Sequence, residues 1–244
     1  MRIAEIFYSV QGEGSLVGVP SVFVRTSGCN LRCTWCDTPY ASWAPEGRDL
    51  SPPQILEQIT PHKCRYIVLT GGEPMMFREL VPLIEALKQQ NHHITVETAG
   101  TLWLDHLPSG SIDLASISPK LSNSTPLERD GGRFAQMHER QRINWDILNT
   151  FATGGHGAIL DRQWKFVIST REDLTEMQDL LDQLNAALEP AHKIQPHHIL
   201  LMPEGIDVPT LTDRARWLAE ICKQKGYRLS PRLHVYLYGN TKGT

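Results

Sequence analysis

The chain has 244 residues, of which 41% are hydrophobic and 21% charged, and its formal net charge is -3 at pH 7. Such a length can bury a substantial core and fits one α/β domain over residues 1–244. The charge balance excludes bulk attraction to nucleic acid or anionic lipid, and with no signal-like start and no membrane-length apolar window the chain reads as cytosolic, without a membrane partner.

The opening MRIAEIFYSVQGEGS carries a Gln-Gly-Glu turn, Gln11 to Glu13, and leads into a strand-like run at 20–26. Three of the five cysteines follow at once, in SGCNLRCTWCDTPY. An odd count with three crowded thiols argues for metal ligands or redox groups over a disulfide framework. Cys64 and Cys222 stand alone and read as small buried apolar residues. A helix is expected at 51–59, where Ser51 can cap and Pro52 suits the first turn. Strand 65–70 then ends in LTGGEP, helix 79–90 leads to strand 93–98 and ETAG, and strand 112–118 runs into SPK. Residues 121–161 break the alternation: the segment is polar, has a helical stretch at 133–148, ends in TGGHGAIL, and reads as an insertion with a mobile glycine loop. Strand 164–169, helix 171–188, strand 198–202 and helix 210–225 complete the pattern.

Strands alternating with helices predict a parallel sheet with crossover helices. About six such units, against eight in a closed barrel, predict an incomplete TIM-type barrel. Ligand sites in such folds gather at the carboxyl ends of the strands, and the cysteine loop, GGEP, ETAG and SPK all fall there.

Cys29, Cys33 and Cys36 form a Cys-x3-Cys-x2-Cys array that can hold one corner of a compact cluster and leaves a coordination position unfilled. A structural zinc site wants a fourth ligand, for which His62, His92 and His93 are candidates without the paired spacing of zinc modules. A redox CTWC pair is the other alternative. CNLRCTWC, with Trp35 before the last cysteine, resembles the signature loop of the radical S-adenosylmethionine (SAM) superfamily. The resemblance implies a 4Fe-4S cluster on the three cysteines, SAM on the fourth iron, and reductive cleavage of SAM to a radical that takes hydrogen from substrate. LTGGEP resembles that superfamily's second-strand motif, in which Gly71 and Gly72 allow close backbone approach and Glu73 offers an acceptor to the SAM ammonium. By the same resemblance Gly100, Ser118 and Lys120 contact the cofactor; taken alone, GGEP and SPK are ordinary strand-end turns.

EIFYSVQGEGSLVGVPSVFVRTSGCNLRCTWCDTPYA, residues 5–41, is similar to the opening of the 7-carboxy-7-deazaguanine synthase family. LTGGEP, VETAGT and SPK extend the similarity over most of the chain; it is weakest in 121–161, and the tail SPRLHVYLYGNTKGT looks like a longer subtype. This resemblance implies radical ring contraction of 6-carboxy-5,6,7,8-tetrahydropterin with loss of ammonia in 7-deazapurine biosynthesis, a flavodoxin-like electron donor and a homodimer. It assigns Gln11, Gly12 and Glu13 to the pterin edge, Arg25 to the substrate carboxylate, Thr98 and His234 to substrate, and Thr38 to a magnesium ion that also contacts substrate. The residue types suit those tasks: Gln11 donates and accepts, Glu13 accepts from guanidine-like N–H groups, and Arg25 offers a planar fork. The alternatives are a solvated turn for Gln11 to Glu13, a salt bridge for Arg25, strand packing for Thr98 and a structural role for His234. Asp37 can orient the magnesium shell or cap a helix, and Lys165 can face the site. Two rival readings are a glycyl-radical activase acting on a partner protein and a zinc or iron-sulfur interaction module without turnover; GGEP and SPK argue against the second.

Overall fold

The computed structural model describes residues Met1–Thr244. Two N-terminal strands, β1 (Arg2–Val10) and β2 (Pro20–Thr26), precede the short helix α1 (Pro39–Ser42) and strand β3 (Arg48–Asp49). Helix α2 (Pro52–Ile59), β4 (Tyr66–Gly71), α3 (Leu80–Gln89), β5 (His93–Thr98) and β6 (Ile112–Ile117) follow. Helices α4 (Ala135–Gln141) and α5 (Trp145–Ala152) lead to β7 (Ile159–Ile168). The chain finishes with α6 (Glu172–Ala187), β8 (Ile199–Pro203), α7 (Val208–Lys225), β9 (Arg228–Leu229) and α8 (Leu233–Tyr238).

These strands make one sheet in the order β3-β1-β2-β4-β5-β6-β7-β8-β9. Every pairing from β2 to β9 is parallel, whereas β1 runs antiparallel to β2 and β3. The edge strands β3 and β9 are two residues each and do not meet, so the sheet stays open as an incomplete barrel. Local chemistry sets the helix ends. Gln54 Oε1 accepts from the Ser51 N–H at 2.9 Å before α2, Asp207 Oδ1 accepts from the Thr210 N–H at 2.9 Å before α7, and Gly226, left-handed at φ 72°, ends α7.

Period-two alternation gives the sheet two unlike faces. Val24, Leu69, Val96, Ile117, Phe166 and Leu201 point outward into one cluster of 39 buried residues beneath the helices. Helix α3 meets them with Leu80, Leu83, Ile84 and Leu87, a 0, 3, 4, 7 spacing that puts all four on one buried face. Each such side chain stabilises the fold by about 2 kcal/mol, and truncation of Leu83 to alanine is expected to cost about 2–5 kcal/mol. The inner face carries Arg25, Thr70, Glu97, Ser116 and Lys165 instead, and these line a cavity.

Three features depart from the sequence reading. Strand β1 has no alternating pattern, because its register slips between Ile3 and Glu5. The helical stretch at 133–148 is two helices, restarted where Asn144 Oδ1 accepts from the Ile147 N–H. The glycine run at its end is a tight turn with Gly155 packed against Trp103, and β7 already begins at Ile159, so the irregular segment is shorter than expected. No helix is long and apolar enough to cross a membrane.

Candidate active site

A cavity of about 450 Å³ opens at the carboxyl ends of the parallel strands. Cys29, Cys33 and Cys36, in the loop leaving β2, line one end of it. Leu31 and Ala99 pack beside the thiols, of which Cys33 is buried and Cys29 and Cys36 half-buried. Burial pushes the Cys29 and Cys33 thiols up to about 12, so iron must displace protons to bind, while the nearby Lys120 ammonium works the other way. No three His, Cys, Asp or Glu side chains stand close enough to share a single ion. Thiols that each hold a different iron of one cluster need no such convergence, and three thiols gathered at one end of a cavity fit the 4Fe-4S group. His62 stacks on Tyr8 and His93 packs at a tilt on Tyr66, and neither these nor His92 lines the cavity. Cys64 donates to the Pro20 carbonyl and Cys222 is buried under α7, as expected of packing residues.

Trp35, Gly71, Gly72, Ser118 and Lys120 line the same end. A side chain on Gly72 would strike the Gly28 and Ala41 carbonyl oxygens, since the β4 turn is sewn to the cysteine loop by Gly72 N–H to Thr26 O and Glu73 N–H to Gly28 O, at 3.1 and 2.9 Å. Lys120 Nζ donates to the Ser118 carbonyl and hydroxyl at 2.8 Å, with the ammonium 5.9 Å from the Trp35 ring centroid.

Two expected cofactor contacts stand elsewhere. Glu73 is fully buried behind the wall: its carboxylate accepts from Met75 N–H, Thr98 Oγ1 and Ala99 N–H at 3.1, 2.8 and 2.8 Å, which ties the end of β4 to the end of β5. Burial raises its pKa against these bonds. Gly100 does not line the cavity either; its φ of +72° and the Ile117 and Leu148 carbons 2.8 Å from a would-be Cβ explain the glycine.

Gln11, Gly12, Glu13, Arg25 and His234 also line the cavity, and Thr38 and Thr98 line it close to the thiols. Gln11 is committed to shaping its own turn: Nε2 donates to Glu97 at 3.1 Å and Oε1 accepts from the Glu13 N–H at 3.1 Å. Thr98 spends its hydroxyl proton on Glu73. Arg25 Nε pairs with Glu5 at 2.6 Å, while Glu5 also accepts from Tyr40 at 2.7 Å; the terminal guanidinium nitrogens make no bond within the protein. His234 packs on Gly12, and burial lowers its pKa although Glu13 opposes, so it is a neutral ring. Thr38 Oγ1 lies 3.8 Å from Cys36 Sγ. The α1 cap position belongs to Thr38, and Asp37 instead pairs with Arg232.

Arg232 is the residue that sequence reasoning missed. It is buried, bonds Glu13 through Nε at 3.2 Å and Asp37 through Nη2, and Lys165 pairs with the other Glu13 oxygen. Burial alone would raise the Glu13 pKa, but Lys165 and Arg232 outweigh it and hold the carboxyl far below the usual range. Two acids and two bases thus balance inside the wall. The same tail segment grips the Gln-Gly-Glu turn through Leu233 N–H to Gly12 O at 2.8 Å and Gly14 N–H to Ser230 Oγ at 2.9 Å. Gln163 was missed as well: it accepts from the Ser15 N–H at 2.8 Å and donates to Ser116 at 2.8 Å. Polar residues at alternate positions 163 and 165 of an apolar strand were the available signal.

The sequence model of the Radical SAM superfamily matches residues 23–152, more than half the chain. A 7-carboxy-7-deazaguanine synthase from Rhodopirellula baltica is 39% identical over 244 residues, covering 100% of this chain and 89% of the relative. Another from Halobacterium salinarum is 40% identical over 249 residues, covering 100% and 93%. The crystal structure of QueE from Escherichia coli superimposes with a TM-score of 0.67 at 25% identity, covering 96% of this chain and 94% of that one. With the three-thiol corner and the open parallel sheet already in place, these similarities show that the chain belongs to the radical SAM superfamily and, within it, to the 7-carboxy-7-deazaguanine synthases.

Proposed function

We infer that the protein converts 6-carboxy-5,6,7,8-tetrahydropterin to 7-carboxy-7-deazaguanine with loss of ammonia, as one domain over residues 1–244. The observation that carries this reading is that the cysteine loop, the Gln-Gly-Glu turn and Arg25 all open onto one cavity. The cluster with SAM bound supplies an electron and a hydrogen-abstracting carbon radical; the chain supplies orientation, charge and dryness. Arg25, steadied by Glu5, has its two outer nitrogens free for a carboxylate fork. Glu13, kept ionised by Lys165 and Arg232, accepts from pterin N–H groups, and the neutral His234 ring lies against the same edge. Trp35, Gly71, Gly72, Ser118 and Lys120 face SAM; Glu73 and Gly100 act behind the wall. Thr38 would offer magnesium a hard oxygen, of the kind that ion prefers. The proposed setting is the cytoplasm, as a homodimer supplied with electrons by a flavodoxin-like protein.

The test is an anaerobic assay of reconstituted protein with reductant, SAM and 6-carboxytetrahydropterin, with and without magnesium, read by mass spectrometry. Formation of 7-carboxy-7-deazaguanine, faster with magnesium, is expected. Cleavage of SAM without that product would discard the substrate and keep the radical chemistry.

A further inference from the structure

The sequence reads residues 121–161 as an insertion, yet its first part lies against the back of the cysteine loop. From Cys29 to Cys36 the chain has no helix or strand, so the loop's backbone groups need partners from elsewhere. Several find them between Asn123 and His138. The Arg32 N–H donates to His138 Nδ1 at 3.1 Å and the Thr34 N–H to the Ser124 carbonyl at 2.8 Å. Arg129 donates to the Thr34 carbonyl at 2.7 Å, and the Trp35 indole N–H to the Asn123 carbonyl at 3.0 Å.

Only one of these partners changes character with a single proton. His138 is fully buried, and its Nδ1 accepts from a backbone N–H, so the ring proton sits on Nε2. Nε2 faces Ser124 Oγ at 2.9 Å, and the Ser124 hydroxyl is spent on the Leu121 carbonyl at 2.6 Å. The relay therefore runs one way, from imidazole to hydroxyl to carbonyl. Burial, with Arg142 and Lys120 nearby and only Glu139 opposing, pushes the ring's pKa down to about 4 and keeps it neutral. The bond it accepts is strategic. Arg32 lies between Cys29 and Cys33, and its guanidinium bonds the Cys29 and Leu31 carbonyls at 2.7 Å, so a fixed N–H sets the span between two thiols.

We propose that His138, held as its Nε2–H tautomer by Ser124, is a positioning residue that fixes the cysteine loop for cluster retention. This rests on the loop being the cluster site and not on the pterin, so its failure would leave the proposed substrate untouched.

The test uses anaerobically reconstituted holoprotein and follows iron release to a ferrous chelator, with the electron paramagnetic resonance signal of the reduced cluster and the apoprotein melting temperature beside it. His138→Phe is expected to release iron about tenfold faster and to broaden the signal, as for one buried N–H left without an acceptor. His138→Asn, whose side-chain oxygen can take that N–H, is expected to stay within about threefold of the parent. Parent-like release from His138→Phe overturns the proposal; so does equal acceleration in both variants, which marks a packing role. Should His138→Phe not fold, Ser124→Ala decides the matter. It keeps the ring but removes the hydroxyl that accepts from Nε2–H, and about threefold faster release is expected, whereas an unchanged rate overturns the proposal.

Discussion

The two ends of the cavity are built on opposite plans. At the cluster end the thiols come from one eight-residue stretch, and they are supported mainly by neutral backbone hydrogen bonds from nearby turns. At the end proposed for the pterin the groups come from Gln11, Glu13, Arg25, Lys165, Arg232 and His234, and charge holds several of them in place. A three-thiol site tolerates no loss of a ligand, because each thiol holds its own iron. A balanced ion cluster fails by degrees, according to which charge is stranded.

The comparison can be broken most severely with Cys33→Ala. Visible cluster absorbance, iron content and turnover are all expected to fall to background; retained turnover would sink the assignment of the cluster end. Arg232→Met takes away the ion-pair partner of the half-buried Asp37 and one of the two partners of Glu13, which keeps Lys165, and a loss of about 2 kcal/mol in apoprotein stability is expected by urea titration, with the Michaelis constant for the pterin raised and iron content unchanged. An equal loss of iron would mean that the two ends are not separable. Thr38→Ala is expected to lower the rate about tenfold and flatten its magnesium dependence, with the cluster spectrum intact. The smallest effect separates the ends by pH. In the folded chain His138 is held near 4 against its ordinary 6.5, so the unfolded chain binds more protons between those values. Its contribution is therefore complete above about 6.5 and fades as pH falls toward 4. Urea midpoints at pH 7 and pH 5 are expected to differ more for the parent than for His138→Asn, whose side chain does not titrate.

The same contrast governs what could be read in advance. The cysteine loop, GGEP and SPK are contiguous, so their chemistry is visible as spelling, and six parallel strands follow from short branched runs between helices. Orientation is another matter. Glu73 sits in the expected motif but turns into the protein, because three donors behind it outcompete the cavity. Gly100 answers to Ile117 and Leu148, which are distant in the chain. Arg232 had no periodic or motif signal, since its meaning comes from Glu13 and Asp37 some two hundred residues away. A bulge interrupts strand β1, and no motif or spacing in the 133–148 stretch marks His138.

The open sheet has a mechanical consequence. A closed barrel would seal its first strands to its last with a continuous ladder, but here β3 and β9 end unpaired with each other. The seam is fastened instead by a handful of links: Gly12 to Leu233, Gly14 to Ser230, Glu13 to Arg232, and Glu46 to Lys242. Each is a local bond that can be undone without unzipping a strand. The tail is therefore a clasp: it walls one side of the cavity with His234 and residues 240–244 without adding a strand to the sheet.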